Sequence, residues 1–144
     1  MDLSKPDGEG EVTITGITVR ENETTLNFDG PIEGYGIVYV TQIWKYTDAE
    51  NTMGFMNGQT RVVLNDGTML HSPLAGTFTR KGSTVKLYFT DAVNNGDQNF
   101  VTWDIDMLSK KAKVRYFSLK WIEHTGIARW CFISLISRQI LMLH

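Results

Sequence analysis

The sequence predicts an all-β protein, a single antiparallel meander that closes into a β-barrel. Segments of β-branched and aromatic residues alternate with polar ones, turn residues separate them about every 8–12 residues, and no segment before residue 121 has the 3.6-residue period of a helix. Consecutive turns favour pairing of neighbouring strands, and glycines within strands supply the curvature that closes a barrel. A two-sheet sandwich is the alternative architecture.

The run of β-branched and aromatic residues at 34–46 is the longest in the chain and is predicted to form the central strand. From Tyr35 to Val40 both alternating faces are apolar. Such a strand needs a cover on each side, or a sheet that curls so that one face lies inside it. The remaining segments are therefore predicted to be partners of this strand.

Two strands precede the central strand. Val12 and Ile14 alternate with polar residues, and the apolar parity changes at Gly16, which predicts a β-bulge or a bend. A turn at 21–23 leads to the second strand, and a loop at 29–34 leads to the central one. The predicted buried face of the second strand consists of Thr24, Leu26 and Phe28.

The fourth strand, at 53–64, and the segment after it are predicted to form a hairpin. The turn at 65–68 has the sequence Asn-Asp-Gly-Thr, and Gly67 is expected to supply its positive φ. Pro73 is expected to end the return strand or to kink it, because proline cannot donate to a β-ladder.

Four further strands complete the predicted barrel, at 76–79, 85–89, 101–107 and 112–121. A glycine-containing turn at 80–83, a polar loop at 91–99 and a turn at 109–111 connect them. The period-2 pattern then predicts a core that contains Val12, Ile14, Leu26, Phe28, Val38, Val40, Val85, Leu87, Phe89, Val101, Trp103 and Ile105.

The sequence predicts a flexible leader at 1–10, a barrel domain at 11–121 and an apolar C-terminal tail at 122–144. A length of 144 residues suits one domain with a real core. The tail has apolar residues at helical spacing and no acidic residue between Ile127 and Leu143. A short helix packed on the barrel or across a homodimer is favoured; a membrane-surface anchor and an abnormal C-terminus are the alternatives.

Composition excludes several classes of protein. A net charge of −2 without a basic cluster gives no footprint for nucleic acid. A single cysteine, Cys131, cannot form a disulfide within the chain, and the acidic N-terminus does not fit a signal peptide, so a cytoplasmic location is predicted. The three histidines have no metal-ligand spacing, and the loop at 91–99 lacks the ligands of a calcium site. No metal and no cofactor are predicted.

The candidate site is a cavity inside the barrel, lined by polar and aromatic side chains. Asn57, Gln59 and Arg61 share one face of the fourth strand, and His71 follows on the return strand. If that face points inward, the site suits an aromatic or amphipathic carboxylate; the alternative is that this face is the solvated outside. The predicted ligand-binding residues are Tyr39, Trp44, Gln59, Arg61, His71, Tyr88, Trp103 and Tyr116, and no catalytic residue is predicted.

The predicted architecture resembles that of calycin and allene-oxide-cyclase-type barrels, which are small-molecule binders and in some cases enzymes. The resemblance is one of strand pattern and transfers no residue roles. The excess of aromatic residues on strands and the lack of any nucleophile or metal signature favour a barrel that binds a hydrophobic or amphipathic small molecule. A cofactor-free isomerase, cyclase or hydrolase that uses the same cavity is the second hypothesis, and a structural or oligomeric module with a filled barrel is the third. The volume of the cavity distinguishes them.

Overall fold

The computed structural model describes residues 2–119, which form a closed antiparallel barrel of eight strands. Each strand pairs with the next one along the chain, and β8 pairs with β1, so all eight strands are paired on both sides. The strands are β1 (Gly8–Val19), β2 (Glu23–Ile32), β3 (Gly36–Tyr46), β4 (Met53–Leu64), β5 (Met69–Lys81), β6 (Thr84–Ala92), β7 (Gln98–Asp106) and β8 (Lys111–Ser118). The predicted barrel is confirmed, and the sandwich alternative is wrong. The predicted tail at 122–144 lies outside the described residues.

The core fills most of the barrel and follows the period-2 pattern of the strands. Every residue of the predicted core is buried. On β3, Val38 and Val40 point inward, whereas Ile37 and Tyr39 are exposed on the outside. Both faces of this strand are apolar because the sheet curls, so that one apolar face lies inside the barrel. This is the second of the two arrangements predicted from the sequence. An eight-stranded barrel is just wide enough for its interior to be filled by side chains.

Two local predictions about backbone shape are confirmed. The β1–β2 register shifts between Ile14 and Gly16, which is the predicted β-bulge. Gly67, in the turn between β4 and β5, has a φ of 89°. This is the left-handed region in which glycine has no steric penalty.

The predicted end of the return strand at Pro73 is wrong, because β5 runs through this residue from Met69 to Lys81. His71 N donates to Asn94 Oδ1 at 2.9 Å, and the N of Pro73, two residues further on, faces the same side of the strand. The ladder between β5 and β6 begins only at Leu74, which pairs with Asp91. Pro73 therefore does not have to donate a backbone hydrogen bond to β6.

The predicted loops at 29–34 and 91–99 are also too long, since paired strands extend into both. β2 continues to Ile32, whose buried side chain anchors its end. β6 continues to Ala92 and β7 begins at Gln98, so that Asp91 pairs with Asn99. This extension carries two polar residues, Asp91 and Asn99, onto the inward face of the barrel.

Candidate functional site

One end of the barrel contains a cavity. We call this end the mouth; it is formed by the turns at 33–35, 65–68 and 93–97 and by the strand ends beside them. The mouth cavity has a volume of about 60 Å³. Its walls are mainly apolar and include Val38, Val40, Val62, Phe89, Val101 and Val114. Its lining reaches the surface at Tyr35, Asp91 and Tyr116, which are all partly exposed.

Beyond the mouth cavity, the barrel is packed with side chains. Phe28, Met56 and Phe78 are almost completely buried and do not line the cavity. Trp103 lines the cavity and packs edge-to-face against Phe28, with ring centroids 4.8 Å apart. Trp103 therefore borders both the cavity and the filled part of the barrel.

Four polar side chains form a hydrogen-bond network at the mouth. Tyr35 Oη donates to Asp97 Oδ2 at 2.8 Å. Asn99 Nδ2 donates to Asp91 Oδ1 at 3.0 Å and to Tyr35 Oη at 3.3 Å. The buried side-chain amide of Asn99 thus donates hydrogen bonds to the Asp91 carboxylate on the same hairpin and to the Tyr35 hydroxyl in the turn between β2 and β3.

Two buried polar atoms of the cavity lining have no hydrogen-bond partner within residues 2–119. They are Asn99 Oδ1, an acceptor, and Trp103 Nε1, a donor. Asn99 is 2% exposed and Trp103 is 3% exposed. An unpaired buried polar group costs ~1–3 kcal/mol. A molecule in the cavity that pairs with either atom would remove part of this cost.

The electrostatic environment of the mouth is negative. Burial raises the pKa of Asp91; the hydrogen bonds from Asn99 oppose this effect, and the charge of Asp97 adds to it. Burial also raises the pKa of Tyr116, and the carboxylates of Asp7, Glu33 and Asp97 raise it further. These directions are expected where anionic groups gather in a partly desolvated site.

The Tyr35 hydroxyl is held in its neutral form. Burial raises the pKa of Tyr35, the hydrogen bond from Asn99 lowers it, and the hydrogen bond to Asp97 raises it again. The charges of Asp97 and Asp91 act in the same direction as burial. Tyr35 therefore stays a hydrogen-bond donor to Asp97 at physiological pH.

The raised pKa of Asp91 predicts how stability depends on pH. The stabilising contribution of Asp91 is complete below the ordinary aspartate pKa of 3.8 and is lost as pH rises through its raised pKa. We expect Asp91→Asn, which keeps the acceptor for Asn99, to increase the free energy of unfolding at pH 7 but not at pH 3. Urea denaturation at the two pH values measures this.

Asp104→Asn is the matched control for Asp91→Asn. Asp104 lies on the neighbouring strand β7 and forms an exposed ion pair with Lys86. Its replacement should lower the free energy of unfolding at pH 7 by between zero and ~1 kcal/mol, as for other exposed ion pairs. A loss of stability at pH 7 in Asp91→Asn would contradict the account of a desolvated carboxyl.

The structure places three of the eight predicted ligand-binding residues inside the barrel. Trp103 and Tyr116 line the mouth cavity. Trp44 is buried in the filled part, where its Nε1 donates to Gln42 Oε1 at 2.9 Å and its ring packs against Phe78. Two of the eight thus belong to the cavity.

The other five predicted residues lie on the outside. Tyr39, Arg61 and His71 are cross-strand neighbours on β3, β4 and β5, and Gln59 is exposed on the same outer surface. Tyr88 is exposed elsewhere, on β6, where it stacks on Phe100. The eight residues therefore do not converge in one site, and the face with Arg61 and His71 is the solvated one.

Asp91, Asn99 and Tyr35 belong to the mouth but were not among the predicted ligand-binding residues. The sequence does contain a signal for Asp91, because the alternation that places Leu87 and Phe89 on the inward face also places Asp91 there. In the same way, the parity of Trp103 and Val101 extends back to Asn99. No such signal identifies Tyr35, which lies in a turn.

Within residues 2–119, no group of three or more His, Cys, Asp or Glu side chains is placed to hold a metal ion. This part of the chain also has no helix with the length and apolarity that a membrane-spanning helix requires.

Comparisons of the chain with protein-family models, curated proteins and solved structures found no match. The class of protein is defined by fold alone as an eight-stranded antiparallel β-barrel, an architecture compatible with ligand binding.

Proposed function

We propose that the protein is a small-molecule-binding barrel whose ligand places a short apolar group in the mouth cavity and a polar group beside Asp91 and Asn99. The observation that carries the proposal is an apolar cavity whose lining holds two unpartnered buried polar atoms, Asn99 Oδ1 and Trp103 Nε1, within the described residues. Ligand sites typically combine apolar walls with a few fixed polar groups.

The volume of the cavity limits the ligand. Pockets for drug-sized molecules measure about 300–1,000 Å³, whereas the mouth cavity measures about 60 Å³. A large hydrophobic ligand that fills the barrel would have to displace core side chains such as Phe28. The proposal is therefore restricted to a small ligand, or to the short apolar end of a longer molecule that extends out of the mouth.

The charge of the mouth disfavours the carboxylate ligand that the sequence suggested. That expectation required Arg61 and His71 to point inward, and both lie on the outer surface. The partly exposed groups around the cavity are instead hydroxyls and carboxylates, among them Tyr116 and Asp91. An anionic head would be repelled there, whereas a hydrogen-bond donor would be attracted.

Native mass spectrometry of the purified protein tests the proposal, with a pair of variants at adjacent residues of β3. Val38→Phe extends a ring into the mouth cavity, whereas Ile37→Phe adds the same ring on the outside. We expect the wild type and Ile37→Phe to retain a small ligand and Val38→Phe to lose it. Retention by Val38→Phe would contradict the site. If the wild type carries nothing and binds nothing in a fragment screen, the barrel is a structural module.

A second candidate function is cofactor-free acid–base catalysis in the same cavity. The observation that favours it is Asp91, a cavity-lining carboxyl with a pKa raised by burial, because such a group exchanges protons closer to neutral pH. The test is turnover of whichever molecule is retained. Catalysis by Asp91 predicts a lower kcat in Asp91→Asn; simple binding predicts no chemical change of the ligand.

A further inference from the structure

We propose that the polar group of the mouth ligand is a protonated amine, so that the ligand is a short alkylammonium compound. This inference rests on the proposed function and specifies the ligand class. Two independent observations carry it: the carboxylates that surround the mouth, and the unpartnered acceptor Asn99 Oδ1 in the lining of the cavity.

The negative charge comes from four different parts of the chain. Asp7 precedes β1 and accepts a hydrogen bond from Ser118 N at 2.7 Å. Glu33 is in the turn after β2, and its backbone carbonyl accepts from Tyr116 Oη at 3.1 Å. The four carboxylates around the mouth are Asp7, Glu33, Asp91 and Asp97.

None of these four carboxylates forms an ion pair with a cation of residues 2–119. The ion pairs in this part of the chain lie on the outer faces of strands: Lys45 with Glu23, Lys86 with Asp104, Lys111 with Glu11, and Arg115 with Glu9. Lys5, in the N-terminal turn, is not in an ion pair with them either. A cationic ligand would therefore supply the missing counter-charge.

The hydrogen-bonding groups also favour an ammonium ion. Asn99 Oδ1 lacks a hydrogen-bond donor within residues 2–119. The ionised carboxylate of Asp91 can accept hydrogen bonds but cannot donate them. An ammonium group carries three N–H donors and no acceptor. It can therefore bind both Asn99 Oδ1 and the Asp91 carboxylate while its alkyl chain enters the cavity. Charge-assisted bonds of this kind are about twice as strong as neutral ones.

Other ligand classes fit less well. A carboxylate would add to the charges of Asp91 and Asp97. A divalent metal ion needs several ligands around one point, and no group of three or more His, Cys, Asp or Glu side chains is placed in that way within residues 2–119. An alcohol could donate to Asn99 Oδ1 but would leave the carboxylates without a counter-charge.

The probe follows from the volume of the cavity. About 60 Å³ has room for on the order of four heavy atoms, since one water-sized group needs about 10–15 Å³. n-Butylamine has a chain of this size and, with a pKa near that of lysine (about 10.4), is protonated at pH 7. n-Butanol and butyrate are its neutral and anionic counterparts.

The experiment is an NMR titration of the full chain with each of the three compounds at pH 7. We expect n-butylamine to bind at least tenfold more tightly than n-butanol, and butyrate to give no shifts at the mouth. If n-butanol or butyrate binds at the mouth as tightly as n-butylamine, the amine inference is overturned but the proposed function stands. If no compound shifts mouth resonances, both are overturned.

The variant Asp91→Asn tests the role of the carboxylate in a protein that should remain folded. We expect it to weaken n-butylamine binding roughly tenfold or more, as for loss of a charged hydrogen-bond partner, and to weaken n-butanol binding by a smaller factor. Asp104→Asn on the outer face should change neither. An unchanged affinity for n-butylamine in Asp91→Asn would overturn the inference.

The pH dependence gives a second readout. From pH 7 to pH 4, wild-type affinity for n-butylamine should fall as Asp91, whose pKa is raised by burial, becomes protonated. The fall should be smaller in Asp91→Asn, which keeps the other three carboxylates of the mouth, Asp97, Glu33 and Asp7. An equal fall in both proteins would contradict the role of Asp91.

An alkylammonium group can belong to a free amine or to a lysine side chain of a peptide. Nα-acetyl-lysine methylamide carries the same four-carbon ammonium chain on a peptide backbone. Weaker binding of this compound than of n-butylamine indicates a free amine, and tighter binding indicates a peptide. Either result, with loss of affinity in Asp91→Asn, supports the alkylammonium class; no binding of either compound contradicts it.

Discussion

Replacing Phe78 by alanine is expected to lower the free energy of unfolding by ~3–5 kcal/mol, the range for deletion of a buried phenylalanine ring. Phe78 is 2% exposed and packs against Trp44 and Tyr46, with ring centroids 5.0 and 5.7 Å away. The loss is large compared with the total stability of a domain, about 5–15 kcal/mol. Urea denaturation followed by tryptophan fluorescence measures it.

Phe55→Ala is the matched control for this prediction. Phe55 is on the neighbouring strand β4 and is 57% exposed. Its replacement should change the free energy of unfolding by less than about 0.5 kcal/mol. Equal losses in the two variants would show that the barrel interior is not the core of the folded protein.

Replacing Trp103 by alanine is the second change with a large expected effect, ~3–5 kcal/mol on the same scale. Trp103 packs against Phe28 and Phe89 and lines the mouth cavity, so its removal enlarges a space that already reaches the surface. We therefore expect added indole to restore part of the lost stability by binding in the enlarged cavity. Thermal unfolding with and without indole measures this rescue.

Trp103→Phe provides the control for the rescue. It keeps most of the side-chain volume, and the only polar group that it removes is Nε1–H, a donor without a partner within residues 2–119. Its stability should lie closer to that of the wild type, and indole should raise its Tm little. If indole stabilises Trp103→Phe and Trp103→Ala equally, the binding site for indole is not the mouth cavity.

Much of the barrel could be predicted from the sequence because one face of each strand is buried. On β6 and β7, Leu87, Phe89, Val101 and Trp103 alternate with polar residues, and this pattern fixes the inward face. Strand lengths were less predictable. Pro73 is tolerated within β5 because of how the strands on either side of it are paired, which is a property of the tertiary structure.

The candidate site was only partly predictable. On β4 the inward positions include Gly58 and Thr60, while Val63 is next to the inward Val62, so the apolar pattern does not define the inner face clearly. Arg61 could therefore be assigned to either side from its neighbours. Tyr35 and Asn99 are 64 positions apart and meet only because the barrel closes.

The two indole N–H groups inside the described barrel test the central claim most directly. Trp103 Nε1 lines the mouth cavity without a partner within residues 2–119, whereas Trp44 Nε1 is bonded to Gln42. Indole resonances, assigned through tryptophan-to-phenylalanine variants, are followed in ¹H–¹⁵N spectra during titration with n-butylamine and n-butanol. Binding at the mouth predicts a concentration-dependent shift of the Trp103 signal, with the Trp44 signal and the side-chain amide signal of Gln59, on the outer surface, unchanged. Shifts confined to the Gln59 side chain, with Trp103 unaffected, would contradict it.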